Sequence, residues 1–327
     1  MNRREFIGLI GGAAAWPLKV EAQQLVPVIG ILLSGATETP SSKAQMELLR
    51  TGLKAVNLME GQDYIFEIRA ADSDSRRFPA LATELLARNP AAIVASTNLA
   101  ITSIQQISRT VPIVGASLNS PVAVGLVASF SHPGGNITGV STMADELVFK
   151  SVEIMREIMP RVSKVVVILN PTNSSNPVIF ETLTRQFGST ELVFGAVGIS
   201  SSADLDAAFE EVSRQHPDAL IVLTDNSLLG LSNMIVARSM TQRLPVFANQ
   251  SFVFSQAGTL VNYSRDPNES FQATARLLKK ILTGASPADL PVEQPTKFLL
   301  SINLKSAKAL YFNISPAMLA RADVVIE

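Results

Sequence analysis

The feature of this sequence that most restricts its fold is a regular alternation of short apolar runs with helical stripes. The run Val28–Leu33 is uninterrupted, and Lys164–Leu169 repeats it in the second half of the chain. Such runs are expected for strands that are buried on both faces of a parallel sheet. After the first run, apolar residues recur at the spacing of one helix face, at Met46, Leu49 and Leu53. The alternation predicts an α/β fold whose parallel sheets are built from right-handed β-α-β units.

The stretch Val111–Val140 separates two halves that follow the same plan. It is predicted to contain a strand at Pro112–Ala116, a polar loop, a short apolar helix and a turn at residues 133–136, and the strand Ile137–Ser141 follows. With 327 residues the chain is long enough for two α/β lobes. We therefore interpret this stretch as the passage from one lobe to the other, with a ligand cleft between the lobes.

The second half contains more strands than one lobe of the first half's size needs, so the chain is predicted to cross between the lobes more than once. Strand Gly258–Tyr263 and helix Pro267–Thr283 are predicted to complete the first lobe. The first lobe is then expected to comprise residues 26–140 and about 262–285, and the second lobe residues 141–261 and about 286–327.

Residues 1–22 are predicted to be an export signal and not part of the fold. A pair of arginines (Arg3-Arg4) precedes an apolar stretch (Phe6–Leu18), and the segment ends at Ala22. The arginine pair favours the twin-arginine route, with cleavage after Ala22 and a periplasmic mature protein. An uncleaved membrane anchor is the less favoured alternative, because the apolar stretch is shorter than the roughly 20 residues that span a membrane.

Composition and motifs argue against several classes of function. The net charge of −1 offers no basic face for a nucleic-acid partner. The absence of cysteine excludes disulfides and thiolate chemistry, and the two histidines, His132 and His216, both precede proline and are predicted turn residues. No nucleophile elbow and no phosphate-binding glycine loop follows a strand. The sequence therefore predicts no metal site, no cofactor and no catalysis, and an exported α/β enzyme is the least favoured alternative.

Serine, threonine and asparagine are concentrated in the loops predicted at the carboxyl ends of the strands, where open α/β sheets bind ligands. Their short side chains can hydrogen-bond a small polar ligand. The alternative is that such residues only cap helices, as Asn176 before Pro177 is predicted to do. The predicted ligand-binding residues are Ser34, Thr97, Asn98, Ser117, Asn119, Asn170, Ser174, Asp225 and Asn249, with Tyr263 as an aromatic wall.

Motifs spread along the chain resemble those of one family. They include Pro121-Val122-x-x-Gly125-Leu126-Val127, the segment Pro133–Val140, Gln294–Phe298 and Ile302–Leu310. With them the chain resembles the ABC-transporter substrate-binding proteins of the tryptophan/tyrosine type, which have a type I periplasmic-binding-protein fold. The resemblance implies two Rossmann-like lobes joined by three crossover strands. These lobes would close on a small-molecule ligand and present it to an ABC permease in the inner membrane, and the protein is expected to be a monomer.

The chain departs from the pattern of this family at Ser120, where an aspartate is usual before the proline. The resemblance then leaves Asp225 as the candidate partner of a ligand's ammonium group. We therefore expect a small polar, aromatic or amino-acid-like ligand, without carrying over tryptophan or tyrosine. An exported module that senses a ligand for a signalling receptor is the alternative function, and a neighbouring permease and ATPase gene would separate the two.

Overall fold

The computed structural model describes residues 26–188 and 191–327, and these form two lobes around two β-sheets. The first sheet is entirely parallel, with the strand order β2-β1-β3-β4-β5. Its strands are β1 (Val28–Leu33), β2 (Ile65–Ala70), β3 (Ala92–Ala95), β4 (Ile113–Leu118) and β5 (Ile137–Ser141). The predicted α/β fold with parallel sheets in two lobes is confirmed.

The second sheet has seven strands in the order β12-β11-β10-β9-β8-β6-β7. Every neighbouring pair is parallel except β10 and β11, which run antiparallel. The strands are β6 (Lys164–Leu169), β7 (Val193–Gly198), β8 (Ala219–Val222), β9 (Val246–Ala248), β10 (Val261–Arg265), β11 (Phe298–Asn303) and β12 (Val324–Ile326).

Helices cover both faces of each sheet. In the first lobe they are α1 (Pro40–Ala55), α2 (Phe78–Leu86) and α3 (Asn98–Ile107), joined by α10 (Pro267–Leu282). In the second lobe they are α4 (Ala144–Ile158), α5 (Ser175–Phe187), α6 (Leu205–Gln215), α7 (Asn226–Gly230), α8 (Ser232–Thr241), α9 (Val253–Ala257), α11 (Leu304–Ala309) and α12 (Pro316–Leu319). Short 3₁₀ turns occupy Ser75–Arg77, Ser202–Asp204 and Pro287–Asp289.

The uninterrupted apolar runs follow from this double covering. Along β1, Ile29 and Ile31 belong to the core beneath α1 and α10, whereas Leu32 belongs to the core beneath α2 and α3. Along β6, Val167 and Ile168 are divided in the same way between the two faces of the second sheet. Because successive side chains of a strand point to opposite faces, a strand covered twice needs apolar residues at every position.

Three segments carry the chain between the lobes, as predicted. They are the link from β5 to α4, the link from β10 to α10, and residues 283–297 between α10 and β11. The three segments are hydrogen-bonded side by side. Ser141 N donates to Glu293 O over 2.8 Å, and Asp266 N donates to Lys297 O over 3.0 Å. The lobes are therefore joined by one band of three bonded backbone segments.

Two predictions about individual elements are wrong. The strand predicted at Gly258–Tyr263 is β10, and it lies in the second sheet between β9 and β11, so only the helix that follows it packs in the first lobe. An apolar strand pattern does not specify which sheet the strand joins. The short apolar helix predicted after Ser120 is a series of turns, because Gly125 has a φ of +74° and Leu126 N donates back to Pro121 O over 2.9 Å.

The predicted export signal at residues 1–22 lies outside the described residues. Within residues 26–188 and 191–327, no helix combines the length and the hydrophobicity that a membrane span requires.

Replacing Glu269 with glutamine should weaken the attachment of α10 to the connecting band and lower the free energy of unfolding by an amount that depends on pH. The Glu269 carboxylate accepts from Thr296 N and from Lys297 N, each over 2.9 Å. Burial opposes its ionisation, but the hydrogen bonds from Thr296 and Lys297 outweigh burial and lower the pKa of this carboxyl. A lowered pKa stabilises the fold above the unfolded-state value and this stabilisation is lost as the pH falls through the folded-state value.

We expect Glu269→Gln to lose about 1 kcal/mol of unfolding free energy at pH 7, because the bonds are charge-assisted but partly exposed. The difference from the unaltered chain should shrink from about pH 5 downward. Urea unfolding at pH 7 and at low pH measures it. Glu153→Gln is the matched control, because Glu153 only pairs with Lys150 on the exposed side of α4. An equal loss at both pH values would exclude the proposed role of the Glu269 charge.

Candidate functional site

A cleft between the lobes contains two adjoining cavities. One has a volume of about 380 Å³ and reaches the connecting band at Thr142, Arg265 and Pro267; we call it the hinge-side chamber. The other has a volume of about 470 Å³ and is lined by the loops around Ser34 and Asp225; we call it the outer chamber. Both volumes are typical of sites for small organic molecules. Residues that line both chambers include Leu33, Pro40, Ser41, Gln45, Asn226, Leu229 and Val253.

A side-chain hydrogen bond joins the two lobes at the outer chamber. Asn226 Nδ2, at the start of α7 in the second lobe, donates to Ser34 Oγ, in the loop after β1, over 3.0 Å. Both side chains are partly buried. Asn226 lines both chambers and Ser34 lines the outer one, so this contact connects the lobes at the chamber whose described lining includes no residue of the connecting band.

The start of α3 contributes Thr97 and Asn98 to the outer chamber. Thr97 Oγ1 accepts from Ala100 N over 3.1 Å and so caps the helix. The Asn98 amide exchanges two hydrogen bonds with the backbone of Asn119, at 2.7 Å and 3.1 Å. At these two positions the alternative interpretation as structural residues is therefore supported, although both side chains also line the cavity.

Asp225 organises the second lobe's side of the outer chamber. The residue is 8% exposed, and its carboxylate caps α7 by accepting from Ser227 N over 2.8 Å and Leu228 N over 3.1 Å. The same carboxylate accepts from Asn170 Nδ2 over 3.1 Å and from Asn173 Nδ2 over 2.9 Å. All four donors are neutral, so the carboxylate is held by hydrogen bonds and has no cationic partner within the described part of the chain.

Asn176 supports this loop and does not cap α5, which corrects its predicted role. The helix begins at Ser175, two residues before the predicted first helical residue Pro177. Asn176 Oδ1 accepts from Asn170 N over 2.9 Å, and its Nδ2 donates to Thr224 O over 3.1 Å. The side chain of Asn176 is fully buried, and its polar atoms are satisfied by these two loop partners and not by the helix amides that a cap would bind.

The hinge-side chamber contains Ser117 and Asn249 among the predicted residues. Asn249 is 2% exposed, and its amide, oriented by its neighbours, donates to Val222 O over 2.8 Å and accepts from Val148 N over 3.1 Å. Ser117 Oγ accepts from the guanidinium of Arg265. Much of the remaining wall is apolar and includes Ile31, Leu33, Leu48, Val94, Leu147, Leu229, Val253 and Phe271.

Arg265 is the functional candidate that sequence reasoning missed. It lies at the end of β10, where the chain crosses into the first lobe, and its Nη1 donates to Ser270 Oγ over 2.9 Å and to Ala116 O over 3.3 Å. Burial lowers the pKa of the guanidinium to about 10, so it stays charged at neutral pH. Within residues 26–188 and 191–327 no carboxylate lies within 4 Å of it. The segment after the predicted strand Gly258–Tyr263 contains Arg265 but is not among the strand ends that were predicted to bind a ligand.

Three predicted contact residues lie outside both chambers. Asn119 is buried, and its Oδ1 accepts from Thr142 Oγ1 over 2.6 Å, which ties β4 to the first crossing segment. Ser174 is exposed on the surface. Tyr263 stacks on Phe298 with the ring centroids 5.8 Å apart, in the core of the second lobe. It faces away from the cleft because β10 lies within the second sheet and this side of it is covered by α4.

The described residues hold no group of three His, Cys, Asp or Glu side chains that could bind a metal ion. The site is thus formed by hydroxyl and amide groups, apolar walls, one guanidinium at the band and one capped carboxylate at the far side. Such a site can bind and orient a small organic molecule.

Comparison with known proteins agrees with this fold and cleft. The family model described as ABC transporter substrate binding protein matches residues 31–326. A tyrosine-binding protein of Clostridioides difficile (strain R20291) is 23% identical over 279 residues, which are 85% of this chain and 79% of that protein.

Two solved structures are similar over 92% of this chain and 99% of their own. A conserved domain protein of Vibrio cholerae O1 biovar eltor has a TM-score of 0.84 at 24% identity. An ABC domain from Streptococcus pneumonia, in complex with L-Trp, has a TM-score of 0.82 at 21% identity. The family model spans nearly all of the two-lobed fold described above, and the protein therefore belongs to the ABC transporter substrate binding proteins with a type I periplasmic-binding-protein fold.

Proposed function

We propose that this protein is the periplasmic solute-binding component of an ABC importer, which captures a small polar, aromatic or amino-acid-like ligand between two closing lobes. The observation that carries the proposal is a cleft lined from both lobes, with a bonded band on one side and the Ser34–Asn226 contact on the other. A ligand that touches both lobes binds the closed form more tightly than the open form. It therefore shifts the population towards closure.

The ligand is proposed to be bound and released unchanged, and passed to an ABC permease in the inner membrane. The names of two relatives support a ligand of amino-acid size, since one is a tyrosine-binding protein and the other was solved with L-Trp. The proposed contact residues are the predicted ones that line the chambers: Ser34, Thr97, Asn98, Ser117, Asn170, Asp225 and Asn249.

A thermal-shift screen over amino acids, organic acids and nucleosides, followed by small-angle scattering, tests the proposal. The ligand should raise the melting temperature, because it binds only the native state, and should reduce the radius of gyration. Deletion of the gene should abolish uptake of that ligand by cells. Normal uptake together with a lost signalling response would instead support the sensing module, and the absence of any stabilising ligand would count against both.

The contact between Ser34 and Asn226 should strengthen binding of the ligand found in that screen. Ser34→Ala and Asn226→Ala are each expected to weaken binding about fivefold, because a neutral hydrogen bond contributes about 1 kcal/mol. The double variant should weaken binding by less than the product of the two single effects, since both single variants lose the same bond. Isothermal titration calorimetry measures this cycle.

Ser75→Ala provides the matched control for the cycle. Ser75 lines the outer chamber from the first lobe but makes no hydrogen bond across the cleft within the described residues. Its effect should therefore add to that of Asn226→Ala. Additive effects of Ser34→Ala and Asn226→Ala would show that the bond does not contribute to the closed form.

A further inference from the structure

The charge of the hinge-side chamber is unbalanced. Among the described residues that line its wall, only Arg265 is charged. The remaining polar groups are hydroxyls and amides such as Ser117 and Gln45. A cation that is largely removed from water and has no anionic neighbour is costly to keep. This imbalance points to an anion supplied by the ligand.

The guanidinium also has donors left for a ligand. It carries five N–H groups, and its partners within the described residues are Ala116 O, Ser270 Oγ and Ser117 Oγ, none of which bonds Nε. Every fully buried side-chain nitrogen or oxygen among the described residues has a partner. Nε of Arg265 therefore keeps some accessible surface, and Arg265 is one of the residues that line the hinge-side chamber. Two neighbouring N–H groups of a guanidinium match the two oxygens of a carboxylate.

Among the described residues, the same chamber offers no counter-charge to an ammonium group. Its lining contains no aspartate or glutamate among the residues that the structure describes. The carboxylate of Asp225 belongs to the outer chamber and already accepts four hydrogen bonds, from Ser227, Leu228, Asn170 and Asn173. An α-ammonium group placed beside Arg265 would be desolvated without a counter-charge and repelled by the guanidinium.

The other residues of the chamber wall favour a ligand with an apolar body. Leu33, Val94, Leu147 and Phe271 line the same chamber as Arg265 and Ser117. We infer that the hinge-side chamber binds a small monocarboxylate with an apolar body and no α-ammonium group, whose carboxylate pairs with Arg265. This inference rests on the proposed function and narrows its ligand class.

A head-group series on the unaltered protein tests the inference. The probes are 3-phenylpropanoate, L-phenylalanine and 3-phenylpropanamide, and the same three head groups on the leucine skeleton (4-methylpentanoate, L-leucine and 4-methylpentanamide), measured by calorimetry. The acids should bind at least tenfold more tightly than the amino acids and at least a hundredfold more tightly than the amides. An amino acid or amide that binds as tightly as its acid overturns the inference, and so does the failure of both acids to bind at millimolar concentration.

Variants of the arginine give a second test. Arg265→Gln should weaken binding of the better acid at least a hundredfold and leave its amide unchanged, whereas Arg265→Lys should stay within about tenfold of the unaltered protein. Arg238→Gln is the control, since Arg238 pairs with Asp206 on the surface of the second lobe. If Arg265→Gln binds the acid as tightly as the unaltered protein does, the inference is overturned. If that variant does not fold, the head-group series decides. Closure around a neutral or zwitterionic ligand would overturn the inference and leave the proposed function standing.

Discussion

Replacing Gly139 with alanine is expected to lower the free energy of unfolding by about 3 kcal/mol and the melting temperature by roughly 10 °C. Gly139 lies opposite Gly115 where β5 pairs with β4. A Cβ at Gly139 would lie 2.2 Å from Gly115 O and 2.7 Å from Gly115 N, and φ at this position is +156°. Both contacts are with backbone atoms, so no side-chain rotation relieves them and the two strands must separate.

The damage should reach the connecting band, because Gly139 O accepts from Glu293 N over 2.9 Å. Thermal and urea unfolding measure the loss. Gly135→Ala is the matched control, since a Cβ at Gly135 meets no atom within 4 Å and its φ is not positive. This control should change stability by less than about 0.5 kcal/mol. Equal stability of the two variants would show that the close approach of β4 and β5 is not required.

Asp225→Ala is expected to lower the free energy of unfolding by about 3 kcal/mol, which is the second large effect. The change removes the acceptor of two helix amides, Ser227 N and Leu228 N, and of the side chains Asn170 and Asn173. Loss of a cap costs about 1 kcal/mol, and each buried donor left without a partner adds a comparable amount. The outer chamber should also lose its shape, because the loop after β6 is held to α7 by this carboxylate.

Asp204→Ala separates this effect from ordinary capping. Asp204 also accepts from two backbone amides, those of Ser200 and Ser201, but it is partly exposed and braces no second loop. We expect it to cost about 1 kcal/mol. Asp225→Asn keeps one acceptor oxygen and should fall between the two. Urea unfolding of the three variants measures how much free energy of unfolding each one loses. If Asp225→Ala loses no more than Asp204→Ala, Asp225 does not hold the loop after β6 to α7.

The bounds of the buried strands could be predicted accurately, because burial on both faces of a sheet is reflected in a run of consecutive apolar residues. The predicted ranges Val28–Leu33, Ile137–Ser141 and Lys164–Leu169 coincide with β1, β5 and β6. Covering on both faces favours a nearly continuous apolar run, as in β1 and β6, and polar loops mark the ends. The prediction of a short helix after Ser120 was wrong because the apolar residues there do not reflect a regular element. They lie in turns, one of which contains Gly125 with its positive φ.

The candidate site could be predicted only in outline. The rule about strand ends led to Ser34, Thr97 and Asp225, which do line the cleft. It did not reveal that Asp225 and Asn98 already have internal partners, because those partners, such as Asn173 and Asn119, come from other loops. A residue type suited to binding a ligand is equally suited to holding a loop, and only its neighbours in space distinguish the two roles.

The α/β class, the two-lobed plan and most strand positions could be predicted from the order of residues alone, because these depend on local periodicity. The tertiary structure decided that β10 joins the second sheet, that Tyr263 faces the core, and that the charge of Arg265 stands alone beside an apolar cavity. Strand partners and charge balance depend on residues far apart in the chain. Their distances exist only after the lobes have folded and the three crossing segments have brought them together.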